Sequence, residues 1–265
     1  MTDACRCLDV NRSAYYSWKN AEPTEREERD ASLSPIVRRI FYKHKKRYGA
    51  RRIVAELKDL GHICGERKVA ALLKTQGLKA IQPKSFKPKT TESRHRLGYN
   101  PNLLLDWSGP YCINQLWVGD ITYIPLKNSR FNYLATLMDR YSRRIVGWHM
   151  SENMTGQLVV TALGMAIRER QPQAKMIHHS DRGGQYAGKT YRGILRRAQV
   201  RQSMSRAGNC YDNAFMESCF GTLKTELEMT DYQDSRAALR EVESYIAYYN
   251  AERKHSSLGY LSPPV

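Results

Sequence analysis

One aspartate lies in the middle of the most strand-like run of the chain: Asp120 in QLWVGDITYIPL, with Leu116, Trp117 and Val118 before it and Ile121, Tyr123 and Ile124 after it. Apolar and aromatic residues on both sides predict a buried or half-buried strand. A carboxylate inside such a strand is costly unless a cation or a set of donors compensates it. The fold must therefore bring something charged or polar to that point of the sheet.

Two further acids have similar settings. Asp181 follows Met176, Ile177, His178, His179 and Ser180 and precedes Gly183 and Gly184, which reads as a short strand ending at the acid. Glu217, with 35 residues between it and Asp181, lies in a segment opened by Asn209, Asp212 and Asn213 and continuing through Phe215, Phe220, Leu223 and Leu227 at helical spacing. It projects from a helix about two turns before Lys224, on the same face. Taken alone, each acid is more often a structural group or a solvated side chain than a metal ligand. Two strand acids and one helix acid in a strongly basic chain change that reading. A small carboxylate cluster suits a pair of hard Mg²⁺ ions, which prefer oxygen ligands and clamp the attacking and leaving oxygens of a phosphoryl transfer. Such a cluster points to an enzyme of metal-assisted phosphoryl transfer.

Charge supports a polyanionic partner. The chain of 265 residues carries a formal net charge of +17, and cations that neutralise phosphates give sequence-independent affinity. Residues 1–31 hold 5 basic and 7 acidic residues, residues 32–100 hold 18 and 4, and residues 101–265 hold 20 and 15. The DNA-gripping surface is therefore expected in residues 32–100.

There, Ser34-Pro35 is expected to open a helix with Ile36, Val37, Ile40 and Phe41 inward. A second helix carries Ile53, Leu57 and Leu60 up to Gly61, and a third runs from about Glu66 to Gln76 with Val69, Leu72 and Leu73 inward. Three short helices with basic outer faces suit a helix-turn-helix unit. Its candidate DNA contacts are Lys43, Lys45, Lys46, Arg47, Arg51, Arg52, Arg67, Lys68 and Lys74. Residues 5–20 read as another helical element, and the charged stretch EPTEREERD as an exposed connection. The expected domains are a helical segment over 1–31, the DNA-binding unit over 32–81, a basic extended linker over 82–102 and a catalytic domain over 103–265.

In that last domain the segments from Phe131 to Met138 and from Arg144 to Met150 read as a hairpin around Asp139, with helices from about Gly156 to Arg170 and Ser235 to Asn250. The final helix has Leu239, Val242, Tyr245, Ile246 and Tyr249 as its inward stripe. This order suits a ribonuclease H-like α/β core, a five-stranded mixed sheet flanked by helices, behind an all-α region. Asp139 is read as a turn residue, Asp212 as a helix cap and His179 as a structural hydrogen-bonding group ahead of a contact to a metal-bound water. Lys224 is either a contact to a DNA phosphate or part of a solvated face. Arg253 and His255 either touch DNA or pack the C-terminal end near the active site. The six cysteines form no C-x-x-C pair, so reduced thiols and no zinc site are expected. With no long apolar run and no signal-peptide pattern near Met1, a soluble cytoplasmic, nucleoid-associated protein is expected, with no membrane partner.

The strings WVGDITYI, LMDRYSR, HSDRGGQY, YDNAFMES and YNAERKHSSLGY resemble the orfB-type transposases of the insertion-sequence-three family, within the retroviral integrase superfamily. The resemblance implies Asp120, Asp181 and Glu217 as a D-D-35-E triad holding Mg²⁺, with Mn²⁺ able to substitute. It also implies 3′-end cleavage and strand transfer on double-stranded DNA, first joining one element end to the other. Homo-oligomers on DNA are implied too, as is an upstream-frame product, separate or fused by frameshifting, that supplies further end recognition. Relatives usually continue somewhat beyond Val265. The rival reading is a DNA-binding regulator or inhibitor descended from such an enzyme, without strand-transfer activity.

Overall fold

The computed structural model describes residues 2–82, 97–127, 130–206, 214–227 and 232–264. The chain divides into two compact units, residues 1–80 and 81–265.

The first unit is helical: α1 (Thr2–Cys7), α2 (Arg12–Lys19), α3 (Glu25–Lys43), α4 (Ala50–Asp59) and α5 (Glu66–Thr75). Its core is Leu33, Val37, Ile40 and Phe41 of α3 against Ile53 and Leu57 of α4 and Val69, Leu72 and Leu73 of α5, with Tyr48 fully enclosed. The helix expected to open at Ser34-Pro35 instead starts at Glu25, so the expected boundary at residue 31 falls inside it. A capping box explains the earlier start. Thr24 accepts from the Glu27 amide at 3.3 Å while the Glu27 carboxylate accepts from the Thr24 amide at 2.8 Å. Glu25, Glu27 and Glu28 then complement the positive end of the helix dipole. Pro35 resembled a first-turn proline, which is the commoner setting. Leu60 was expected inward; it caps α4 and is half exposed.

The second unit contains β1 (Leu116–Leu126), β2 (Arg130–Asp139), β3 (Ile145–Ser151), α6 (Gly156–Arg170), β4 (Ile177–Ser180), α7 (Gly184–Ala187), α8 (Lys189–Arg197), β5 (Arg201–Met204), α9 (Ala214–Glu226) and α10 (Ser235–Ala251). The sheet order is β3-β2-β1-β4-β5. β1, β2 and β3 form an antiparallel meander, while β4 and β5 add in parallel to β1. This is the mixed five-stranded sheet expected, with the hairpin turning at Asp139 as predicted.

Alternation along the strands divides the apolar residues between two layers. Leu116, Val118, Ile124, Leu134 and Met138 pack on α9 and α10 through Met216, Phe220, Leu223, Val242, Tyr245, Ile246 and Tyr249. Trp117, Ala135, Leu137 and Val146 pack on α6 and α8 through Leu158, Val159, Ala162, Leu163, Tyr191 and Leu195. α6 crosses so close to β3 that a β-carbon on Gly147 would lie 2.3 Å from the Ala162 carbonyl oxygen. Within α10 the inward stripe uses Ala238, and Leu239, expected inward, is 39% exposed.

The end of the expected linker is not free. The Leu97 and Gly98 carbonyls accept from Arg192 at 3.1 and 2.7 Å, Asn100 donates to Gln202 at 2.6 Å, and the Leu103 amide donates to Ser203 at 2.9 Å. Residues 97–102 therefore belong to the second unit. Residues 83–96, the bulk of the expected linker, lie outside the described residues. No helix among the described residues is long and apolar enough to cross a membrane.

Candidate active site

The parallel register of β1 on β4 pairs Gly119 with Ser180. The next residue on each strand is therefore Asp120 beside Asp181, on neighbouring strands about 4.8 Å apart. Asp120 sits opposite Thr136 of β2, half-buried, and its Oδ1 accepts from the Ile121 amide at 2.8 Å. Asp181 Oδ1 accepts from the Gly183 amide at 2.9 Å, so the acid shapes the turn that follows β4. Glu217 stands exposed in the first turn of α9, which is held on the sheet by Met216, Phe220 and Leu223.

The three acids share one electrostatic field. Burial, then the charge of Asp181 and, more weakly, that of Glu217 push the Asp120 carboxyl up to about 8, against the Ile121 amide and Lys224. Lys224 lies with Nζ 4.1 Å from the centre of the Tyr123 ring; burial lowers its pKa and Asp120 raises it. Lys224, expected on the helix face of Glu217, thus interacts with Asp120 across the layer.

Beneath the acids lies a buried polar layer that the sequence reading did not single out. His178 Nε2 and the Tyr191 hydroxyl are 2.7 Å apart. Burial, then neighbouring His179, lower the His178 pKa to about 3, so the ring is neutral. Tyr186 packs against Tyr191 with centroids 5.4 Å apart, and burial, then Asp120, Tyr191 and Asp181 hold its phenol protonated. The signal lay in the HSDRGGQY string, whose last residue is Tyr186.

The secondary expectations can be placed as well. His179 uses both ring nitrogens, Nδ1 to Ser203 Oγ at 2.8 Å and Nε2 to Ser205 Oγ at 3.2 Å, as suits a structural group. Asp139 is a buried turn residue, accepting from the amides of Asn114, Tyr141 and Ser142 at 2.5, 3.0 and 2.8 Å. Asp212, read as a cap, and Cys210 lie outside the described residues. Arg253 is buried against Glu226 at 2.7 Å with His255 beside it, so these two pack the C-terminal end rather than face solvent.

In the helical unit Arg67 and Lys74 of α5 are exposed, and Arg51 makes a solvent-exposed pair with Glu66 at 3.0 Å, which a phosphate could replace. Arg52 lies over the Tyr48 ring at 5.5 Å, and Arg47 is half-buried. The Lys68 ammonium is paired with Asp30 in a half-buried bridge tying α5 to α3.

Models of the integrase core domain match residues 110–210 and 198–263, and a model of an HTH-like domain matches residues 27–86. The chain is 41% identical over 261 residues to the insertion element IS600 uncharacterized 31 kDa protein of Shigella sonnei, covering 98% of this chain and 95% of that one. It is also 41% identical over 266 residues to transposase InsF for insertion sequence IS3A of Escherichia coli (strain K12), covering 98% and 91%. The chain belongs to the IS3 family of transposases. Among solved structures, the HTLV-2 integrase catalytic core domain in complex with magnesium (trimeric form) matches at 15% identity and a TM-score of 0.44, over 56% of this chain and 92% of that chain. As an IS3-family transposase it is a DDE-type polynucleotidyl transferase, and its fold class requires a divalent metal. Among the described residues no three His, Cys, Asp or Glu side chains are gathered into a ready ligand set. The donor chemistry nevertheless fits a hard cation: carboxylates only, one of them held protonated by burial and, after it, by the charges of Asp181 and Glu217.

Proposed function

We propose that this IS3-family transposase cleaves the 3′ ends of its insertion sequence and transfers them to new phosphodiesters, with Asp120, Asp181 and Glu217 as the metal-holding triad. The observation that carries this reading is the parallel register of β1 on β4, which sets Asp120 beside Asp181, with Glu217 on α9 near enough to act on the Asp120 carboxyl. Two Mg²⁺ ions, with Mn²⁺ as a substitute, would supply charge neutralisation and an activated nucleophile at this site.

The chain's own groups do the positioning. Asp120 and Asp181, fixed on adjacent strands, present oxygens at one point of the sheet, and Glu217 offers a third from α9. Lys224, which lies over Tyr123, takes a phosphate of the element end in this reading. Arg47, Arg51, Arg52, Arg67 and Lys74 grip duplex DNA from the helical unit, so that binding energy gathered away from the reacting bond orients it. The 3′-hydroxyl freed by hydrolysis then becomes the attacking group in an in-line displacement. Oligomers of the chain on paired ends, and the upstream-frame product alone or fused, complete the assembly.

The test is a cleavage and joining assay on duplexes carrying the ends of the element. Wild-type protein is expected to give metal-dependent 3′ nicks and joined products, and Glu217→Gln neither. Wild-type protein that binds these ends with no products, even beside the upstream-frame protein, would favour a regulator.

A further inference from the structure

The turn between β2 and β3 carries two arginines that the proposed chemistry does not use. Arg140 and Arg143 are half-buried, and their guanidinium carbons lie 3.7 and 3.9 Å from the centre of the Phe215 ring. Phe215 belongs to the first turn of α9, two residues before Glu217. Among the described residues no carboxylate pairs with either guanidinium.

Two like charges withdrawn from water beside each other are unfavourable until an opposite charge arrives. Burial lowers the pKa of both arginines, and repulsion from Arg140 adds to the effect at Arg143, bringing it to about 10. The backbone is also held against its preference. Arg143 has φ 64, in the left-handed region that favours glycine, while the Asp139 carboxylate holds the turn through the amides of Tyr141 and Ser142 and ties it to Asn114. The pair lines a cleft of about 610 Å³ whose other walls include Ser108, Ser257 and Ser262.

We propose that this cleft is a phosphodiester-binding site, taking the backbone of a DNA strand outside the carboxylate triad. The choice of DNA over another phosphodiester rests on the transposase reading. Guanidinium forks match phosphate oxygens in a bidentate manner, serine hydroxyls can donate to those left over, and a ring stacked against both guanidiniums holds their planes in place. Because Phe215 and Glu217 share one helical turn, a strand seated here is set in register with the third acid of the triad.

The experiment is anisotropy titration of a labelled duplex with the full chain, without divalent ions, over a series of salt concentrations. Each lost phosphate contact lowers the slope of log affinity against log salt by about 1. Arg140→Gln/Arg143→Gln should lower that slope by about 2 and weaken binding about tenfold or more. Arg143→Gly, which relieves the left-handed strain, should lower the slope by about 1 with no fall in thermal stability. Slopes equal to wild type, or a binding loss that follows a loss of melting temperature, would assign these arginines to the fold and overturn the proposal. Wild-type protein that does not bind duplex DNA would instead overturn the proposed DNA-end chemistry on which this inference rests.

Discussion

The imidazole of His178 occupies the space that a side chain on Gly119 would need: a β-carbon there would lie 2.8 Å from His178 Cε1. The ring cannot easily retreat, because it is fully buried and its Nε2 is held by the Tyr191 hydroxyl at 2.7 Å. Gly119 thereby lets β4 approach β1 closely enough to set Asp181 beside Asp120. Gly119→Ala should cost about 1–3 kcal/mol through overpacking and weaken metal-dependent activity more than stability alone explains. Urea unfolding beside an activity assay checks both; wild-type values in each would mean the sheet yields freely here.

The far end of α9 is fixed by a buried ion pair. Arg253 donates to Glu226 through Nη2 at 2.7 Å and through Nε at 2.9 and 3.1 Å, and the Tyr245 hydroxyl donates at 3.1 Å. Arg253→Met should cost about 3–5 kcal/mol, because it strands a buried carboxylate. Glu226→Gln combined with Arg253→Met should recover most of that loss, since no buried charge is left unpaired. Equilibrium unfolding of the single and double variants reads the difference, and equal losses in both would show that packing rather than charge holds α9.

The sheet was legible in the sequence because its strands are apolar runs bounded by turn residues, and the acids stand out against them. Asp120 and Asp181 could be assigned to strands, and Glu217 to a helix, from local pattern alone. Their convergence could not, since it depends on the parallel register of β1 with β4. The start of α3 was hidden because Pro35 looks like a helix opening while Thr24 and Glu27 act within a charged stretch that reads as a loop. Lys68 looked like its basic neighbours until the fold brought Asp30 against it. His178, Tyr186 and Tyr191 form their layer only in three dimensions.

Metal-free stability should depend on pH through Asp120. Its carboxyl titrates near 8 in the fold against an ordinary value of 3.8. Between those values the unfolded chain has released a proton that the folded chain still holds, so stability falls as pH rises through that window. Asp120→Asn should flatten this part of the profile. Mg²⁺ binding only the folded form should raise the melting temperature at pH near 8, by about 2.7 kcal/mol of stabilisation at a hundredfold excess over Kd. The same addition should do little for Asp120→Asn; an equal rise in both proteins would place the ion elsewhere.

The most direct measurement of the central claim is single-turnover nicking and joining of element-end DNA by Asp120→Asn, Asp181→Asn and Glu217→Gln beside wild type, each first shown to bind the duplex. If the three acids act as one metal-holding unit, every single variant loses both reactions, by at least roughly 10²–10³-fold, while DNA affinity stays near wild type and each variant remains folded. A variant that binds DNA and still cleaves and joins at the wild-type rate would contradict the assignment of that acid and, with it, the shared site.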